Sequence, residues 1–144
     1  MSGVIDRIKL HLNKDKIFKV GIFSSELLIT HYTGISYSVL ESSCGDMTWM
    51  PSFLSSRSDV DFTGFDIVVD NINNHRERFR NTDWKFEVHD IVTDHIKNSY
   101  DLIISRHTTQ HLLTSDVVKV IRNFVDSSSK FLLTSSYPNT KVKI

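Results

Sequence analysis

Apolar, strand-like segments alternate four times with helix-like segments from Tyr37 onward. The strand-like segments are short apolar runs or, as in 84–89, alternate between apolar and polar residues, whereas the helix-like segments carry apolar side chains along one edge. Strands that are joined through helices lie parallel in one sheet, with helices on its faces and right-handed crossovers. The pattern therefore predicts an α/β fold built on a doubly wound, mostly parallel sheet.

The predicted strands are residues 37–42, 61–68, 84–91, 100–105 and 130–137. Thr48 is the expected cap of a first helix, which tolerates Pro51 in its first turn because the backbone N–H there has no partner within the helix. A second helix is predicted over 69–80. A third, over 115–125, is expected to begin with Ser115 or Asp116 as its cap. Its predicted core face consists of Val117, Val120, Ile121 and Phe124.

The length of 144 residues fits one domain. Its regular core is predicted over 37–144, preceded by a divergent segment, 1–36. Within that segment, 4–12 place apolar residues on one helical face. Balanced charge, 17 basic and 17 acidic residues, disfavours nucleic acid or an anionic membrane as a partner. Cys44 is the single cysteine, so no disulfide can form within the chain and a reducing, cytoplasmic location is expected. The sequence shows neither a signal peptide nor the roughly 20 apolar residues of a membrane span.

Polar side chains follow each predicted strand, where ligands bind in open parallel sheets. Glu41 ends the first strand before the turn "SSCGD", and Asp66 ends the second, where a carboxylate can accept both hydroxyls of a ribose. Asp90 and Ile91 end the third, placing an acceptor for an exocyclic amine beside an apolar surface for a base. The fourth ends in "SRHTTQHL". Together these residues predict a site around one crevice.

Each of these residues also has a purely structural interpretation. An acid after a strand is often a turn former or a helix cap, and Asp66 could cap the helix that follows it. Cys44 is more typical of a small buried apolar residue than of a reactive thiol. Other residues are expected to be structural rather than functional: Trp49, Met50 and Phe53 in the core, and Arg76, Arg78 and Arg80 on a solvated helix face.

His107 and His111 are four residues apart, as paired zinc ligands on a helix are. However, "HTTQH" lacks the glutamate of the HExxH pattern and has no evident third ligand, so no metal site is predicted. Because the loop after the fourth strand overlooks the crevice, at least one of the two imidazoles is expected to face a substrate as a proton acceptor.

Four motifs in order, covering about 100 residues, resemble the class I S-adenosylmethionine-dependent methyltransferases. They are "LESSCGDMTWM" from Leu40, "GFDIVVDNI" from Gly64, "DLIISRHTTQHL" from Asp101 and "SSKFLLTSSYP" from Ser128. The first looks closest to a small bacterial and nematode branch in which Cys-Gly-Asp replaces the usual glycine series. Gly45 still permits close backbone approach to a cofactor. Departures from that pattern are Ser43 in place of proline, and the apparent lack of the helix and antiparallel hairpin that normally follow the fifth strand.

The resemblance implies a Rossmann-like fold, S-adenosyl-L-methionine as cofactor, and no assigned catalytic residue. By the pattern, Glu41 would lie near the amino group of the cofactor, next to Cys44 and Gly45 in the loop. Asp66, followed by Ile67, would hold the ribose. The remaining expected contacts are Asp90 and Ile91 at the adenine, and Ser105 and Arg106 at the methionine end.

The leading hypothesis is methyl transfer to an unidentified acceptor, either a small molecule or a protein. An alternative is a non-catalytic, truncated relative that serves as an interaction module, with self-association through an exposed fifth strand. A nicotinamide-dependent dehydrogenase is disfavoured because the first turn lacks G-x-G-x-x-G, the pyrophosphate-binding pattern.

Overall fold

A six-stranded parallel sheet runs through the part of the chain that the computed structural model describes, residues 20–21 and 36–135. The strands are β1 (Val20–Gly21), β2 (Tyr37–Ser42), β3 (Val60–Asp66), β4 (Lys85–Val88), β5 (Leu102–Ser105) and β6 (Phe131–Thr134). The helices are α1 (Met50–Leu54), α2 (Val69–Arg78) and α3 (Thr114–Asp126), with a 3₁₀ turn at Thr109–His111. The predicted helical face in 4–12 and the tail at 136–144 lie outside the described residues.

The strand order in space is β1-β6-β5-β2-β3-β4, and every pairing is parallel. From β2 the chain adds β3 and β4 on one side, and it then returns to add β5 and β6 on the other. The direction of winding therefore reverses between β2 and β5, which makes this gap the switch point of the sheet. This arrangement confirms the predicted Rossmann-like, doubly wound α/β fold.

Two apolar layers cover the two faces of the sheet. Val39 belongs to one layer and its neighbour Leu40 to the other, because successive side chains of a strand point to opposite faces. The first layer includes Met50 from α1 and Ile72 from α2. The second includes Phe124 from α3.

The predicted helix caps are wrong. The N-cap position of α1 is Trp49, not Thr48, and it makes no side-chain capping bond. The Thr48 hydroxyl instead donates to Asp46 Oδ1 at 2.9 Å. In α3 the helix begins one residue early, so Leu113 is the N-cap and neither Ser115 nor Asp116 caps it. On its predicted core face, Val120 and Phe124 are buried, whereas Val117 and Ile121 are half-buried.

The amino ends of β2 and β5 are joined by a polar cluster far from the strand ends that carry the predicted site. Asp101 Oδ2 accepts the backbone N–H of Ser38 at 2.9 Å and its hydroxyl at 3.0 Å. Asp101 Oδ1 accepts a bond from Lys130 Nζ at 2.5 Å. This cluster fixes the register of the two central strands from the end opposite the site.

The predicted fifth strand, β6, is partly covered at its outer side. Residues Leu132 and Leu133 pair with Val20 and Gly21 of β1. The expectation of a bare edge is therefore wrong at these two positions. In the described residues, no helix is both long enough and apolar enough to cross a bilayer.

Candidate functional site

The carboxyl ends of β5, β2, β3 and β4 lie side by side in that order. They bring the predicted residues Ser105, Glu41, Asp66 and Asp90 to one edge of the sheet. The side chain of Ser42 crosses the switch point, since its hydroxyl donates to the carbonyl of Ile104 at 3.2 Å. The four strand ends thus lie along one edge of the sheet.

The loop after β2 has an unusual backbone. Ser43, Gly45 and Met47 all have positive φ angles, 69°, 57° and 55°. The left-handed conformation costs a non-glycine residue about 1–2 kcal/mol. A Cβ built on Gly45 would meet no atom within 4 Å. Gly45 therefore leaves open space beside its Cα atom in a strained loop.

Glu41 is a buried acid at the end of β2, with only 2% of its surface exposed. Burial raises the pKa of Glu41 to about 8, against the opposing effects of the Arg106 charge and a hydrogen bond from the Trp49 side chain. Its Oε2 atom is buried and has no hydrogen-bond partner among the described residues. The carboxyl group is therefore mostly protonated at neutral pH and has an unused oxygen.

Arg106 and Trp49 lie beside Glu41 and contact each other. The guanidinium carbon of Arg106 lies 4.7 Å from the centre of the Trp49 ring. This separation is within the range of a cation–π contact. Trp49 is thus partly a core residue, as expected, and partly a support for an exposed cation at the site.

Ser105 ends β5 with a side chain that is completely buried. Its hydroxyl oxygen has no hydrogen-bond partner among the described residues. Ser105 and Glu41 end adjacent strands at the switch point, but because Glu41 pairs with Ile104 their side chains point to opposite faces of the sheet.

Asp66 links the ends of two elements through backbone hydrogen bonds. Its Oδ2 accepts the N–H of Gly45 at 2.8 Å, and its Oδ1 accepts the N–H of Val68 at 2.9 Å. It is not the N-cap of α2, because Val68 occupies that position. Each oxygen still has a lone pair, so the residue can organise the loop and accept a ligand hydroxyl as well.

Ile67, immediately after Asp66, has 62% of its surface exposed. Ile91 differs, because it is buried in the second apolar layer with 6% exposure. Of these two predicted cofactor-binding residues, Ile67 is thus the one with a free apolar surface, whereas Ile91, predicted at the adenine, is buried in the core.

Asp90 is a turn former in the structure. Its Oδ1 accepts the backbone N–H of Val92 at 2.8 Å, and its Oδ2 accepts the hydroxyl of Thr93 at 3.0 Å. The bond from the Val92 N–H holds the pKa of Asp90 below its usual range, so the group is ionised at neutral pH. A ligand amine would add to these bonds and would not replace them.

Cys44 is buried with 5% exposure and belongs to the first apolar layer. Burial, together with the charges of Asp66 and Glu41, raises the pKa of its thiol to about 12. The thiol is therefore unreactive, which agrees with the structural interpretation of this residue. Any contribution of Cys44 to a ligand would come from its backbone.

His107 and His111 are both exposed on the segment after β5. The backbone N–H of His107 donates to the hydroxyl of Ser135 at 2.8 Å, and His107 has a positive φ of 56°. Within residues 20–21 and 36–135, no group of three or more His, Cys, Asp or Glu residues is placed to hold a metal ion.

Sequence reasoning did not identify His75 as part of this region. The residue lies on α2 with 4% exposure, and its Nε2 is 2.7 Å from the carbonyl oxygen of Gly45. The available signal was its spacing, since His75 follows the buried Ile72 by three residues and so shares its helical face.

A family model described as a methyltransferase domain matches residues 39–128, which include every strand end of the site. No curated protein matches the chain in sequence.

Three solved structures resemble the chain with identities that establish the fold alone. A TehB-like SAM-dependent methyltransferase from Corynebacterium glutamicum is 20% identical, with a TM-score of 0.55, over 67% of this chain and 50% of that one. A Pyrococcus horikoshii protein is 24% identical, with a TM-score of 0.56, over 71% and 50%. The N-methyltransferase NodS from Bradyrhizobium japonicum, in complex with S-adenosyl-L-homocysteine, is 18% identical, with a TM-score of 0.56, over 65% and 48%. The chain spans at most half the length of these three proteins.

Proposed function

This chain belongs to the methyltransferase-domain family, and on that premise we propose that it binds S-adenosyl-L-methionine at the ends of β2, β3, β4 and β5. We further propose transfer of its methyl group to a small-molecule or protein acceptor.

The observation that carries this proposal is the buried Oε2 atom of Glu41 at the switch point, which has no hydrogen-bond partner among the described residues. A buried polar atom without a partner is costly and rare in folded proteins. The amino-acid end of the cofactor has an ammonium group that can donate to Glu41, whereas Ser105 Oγ, on the opposite face of the sheet, is a separate candidate contact for the methionine end. The residues present therefore fit the group.

The other end of the cofactor fits the neighbouring strand ends. Asp66 retains lone pairs for the ribose hydroxyls, and Ile67 offers an exposed apolar surface to the adenine ring. Asp90, held ionised by its turn, would accept from the exocyclic amine. Next to them, Gly45 leaves open space in which the backbone can approach a ligand.

When bound, the cofactor supplies a methyl group activated by a sulfonium centre. The protein must then hold donor and acceptor in line, and correct positioning alone contributes much of the rate in such a displacement. Glu41, Ser105 and Asp66 lie on the ends of rigid strands, which suits this positioning role. His107 and His111, exposed after β5, are the candidates for accepting a proton from the acceptor group.

Isothermal titration of the folded protein with S-adenosyl-L-methionine and with S-adenosyl-L-homocysteine tests the proposal. We expect both to bind, and we expect NAD⁺, which shares only the adenosine portion, to bind far more weakly. Glu41→Ala should weaken both ligands, because each has the same ammonium group. A folded protein that binds neither ligand would exclude the proposed cofactor.

A non-catalytic interaction module is the second candidate, and the edge of β6 favours it. Among the described residues, β1 covers β6 at Leu132 and Leu133, and Phe131 in the same strand has 48% of its surface exposed. An edge strand that is only partly covered and carries an exposed apolar side chain can pair with a second copy of the chain. Sedimentation equilibrium of wild type and Phe131→Lys would show a dimer that the substitution dissociates, whereas a monomer that methylates an acceptor would rule this role out.

A further inference from the structure

The carbonyl oxygen of Gly45 has a partner that comes from a different element, helix α2. His75 Nε2 lies 2.7 Å from this oxygen. Because a carbonyl oxygen only accepts hydrogen bonds, Nε2 must carry the proton and donate it. The His75 ring is held by aromatic neighbours, with centroid distances of 5.2 Å to Phe86 and 6.1 Å to Phe79. The donor therefore has a fixed direction.

Gly45 is thus held on both sides of its Cα atom. On the amino side its N–H donates to Asp66 Oδ2 at 2.8 Å, and on the carboxyl side its carbonyl accepts from His75. These bonds fix the two peptide planes that meet at Gly45, so they fix its φ and ψ angles. Glycine has more backbone freedom to lose than any other residue. Two side chains from the unit β3–α2 remove that freedom before any ligand arrives.

Burying the polar ring of His75 costs free energy, and the bond to Gly45 is what compensates for that cost. Its Nδ1 atom is buried and has no hydrogen-bond partner among the described residues. An apolar side chain at this position would fill space beside Phe86 without leaving an unpaired polar atom. Core packing alone therefore favours leucine over histidine, and what histidine adds is the donor to Gly45.

We propose that His75 is a positioning residue of the cofactor site, which holds the Gly45 loop in its ligand-binding conformation by donating from Nε2 to the Gly45 carbonyl. This inference rests on the proposed function, since the ligand is the proposed cofactor. His75 acts through Gly45 and touches no reacting atom. Because His75 orders the loop before the ligand binds, ligand binding does not include the entropy cost of ordering that loop.

Two substitutions separate positioning from packing. His75→Leu removes the unpaired Nδ1 but also takes the donor from the Gly45 carbonyl, so these effects oppose each other and we expect little change in thermal stability, with about three- to tenfold weaker binding of S-adenosyl-L-homocysteine. His75→Gln places an amide N–H at a reach similar to that of Nε2, so it should restore most of the affinity. Ile72→Val, on the same buried helix face, is the control that lowers stability and leaves affinity unchanged.

Leucine and glutamine variants that bind like wild type would overturn the inference. So would equal losses of affinity in both variants, because these would indicate a packing role. If His75→Leu does not fold, ¹⁵N NMR of wild-type His75 decides: the neutral ring must carry its proton on Nε2, and a proton on Nδ1 alone would contradict the proposed bond. Wild-type protein that binds neither S-adenosyl-L-methionine nor S-adenosyl-L-homocysteine would refute the proposed function itself, whereas normal wild-type binding with no effect of His75→Leu refutes this inference alone.

Discussion

Asp66 accepts the backbone N–H of Gly45 through Oδ2 at 2.8 Å, which ties the loop after β2 to the end of β3. A single carboxylate therefore supports the loop and faces the proposed ribose position. Removing the loop support predicts lower stability, whereas removing the ribose contact predicts weaker cofactor binding.

Asp66→Ala should lower both stability and affinity. Two backbone N–H groups lose a charged acceptor, and bonds to charged groups contribute about 1.5–3 kcal/mol each to the free energy of unfolding. Cofactor affinity should fall by about ten- to a hundredfold. Asp101→Ala, at the opposite end of the sheet, should lower the denaturation midpoint without changing affinity. If Asp66→Ala loses stability but binds the cofactor with wild-type affinity, Asp66 supports the loop and does not hold the ribose.

Wild-type stability should fall as pH rises from about 4.5 to about 8 because of Glu41. Its pKa is about 8 in the folded protein and 4.5 in the unfolded reference, so the folded state binds more protons between these values. The contribution of Glu41 is thus fully present below the lower value and is lost as pH passes the higher one, with a magnitude on the order of 5 kcal/mol. Urea denaturation across this range should show a slope that Glu41→Gln removes. Parallel slopes for both proteins would contradict the protonated form.

Cofactor binding near pH 7 should release a proton. An ammonium group beside Glu41 favours its charged form and lowers the pKa of the carboxyl group. Titration calorimetry in buffers of different ionisation enthalpy measures the number of protons released. Glu41→Gln should show none, and a wild type that releases no proton would place the ammonium group away from Glu41.

Two glycines beside the same loop should respond differently to alanine. At Gly45 the new methyl group enters open space at a positive φ of 57°, so stability should fall by about 1 kcal/mol while a ligand that needs this space is excluded. At Gly64 a Cβ would lie 3.0 Å from Phe86 Cδ1 and 3.2 Å from Cys44 Sγ, so overpacking should cost about 1–3 kcal/mol. Ligand titration and thermal denaturation of both variants check this. Equal affinity in the two variants would argue against a ligand next to Gly45.

The regular part of the fold was predictable because its signal is local. Apolar runs and period-2 alternation located the strands from Tyr37 onward, and each predicted strand overlaps an observed one. Residue 88 shows the limit of this reasoning. Alternation placed Val88 on the buried face with Phe86, yet 45% of its surface is exposed, because β4 is the last strand of the described sheet on that side.

The candidate site was predictable as a set of strand ends but not as a network of bonds. The alternation of elements predicts parallel strands whose carboxyl ends share one edge of the sheet, and the observed order puts Glu41, Asp66 and Ser105 at that edge. The partners of Gly45 depend on side-chain directions across 21 and 30 residues, which no local pattern encodes. The predicted caps also failed: α3 begins at Thr114, one residue earlier than predicted, and its N-cap is the exposed Leu113, which makes no side-chain capping bond.

The pairing of β1 with β6 sets an order of assembly. Strands β2 to β4 can pair as soon as each is made, and β5 joins β2 before β6 exists. Ribosomes add about 5–20 residues per second, so Val20 waits roughly 6–20 s for its partner Leu132. The switch point is therefore complete while the outer edge is still open. Of the described strands, β1 leaves the ribosome first and is the last to find its pairing partner.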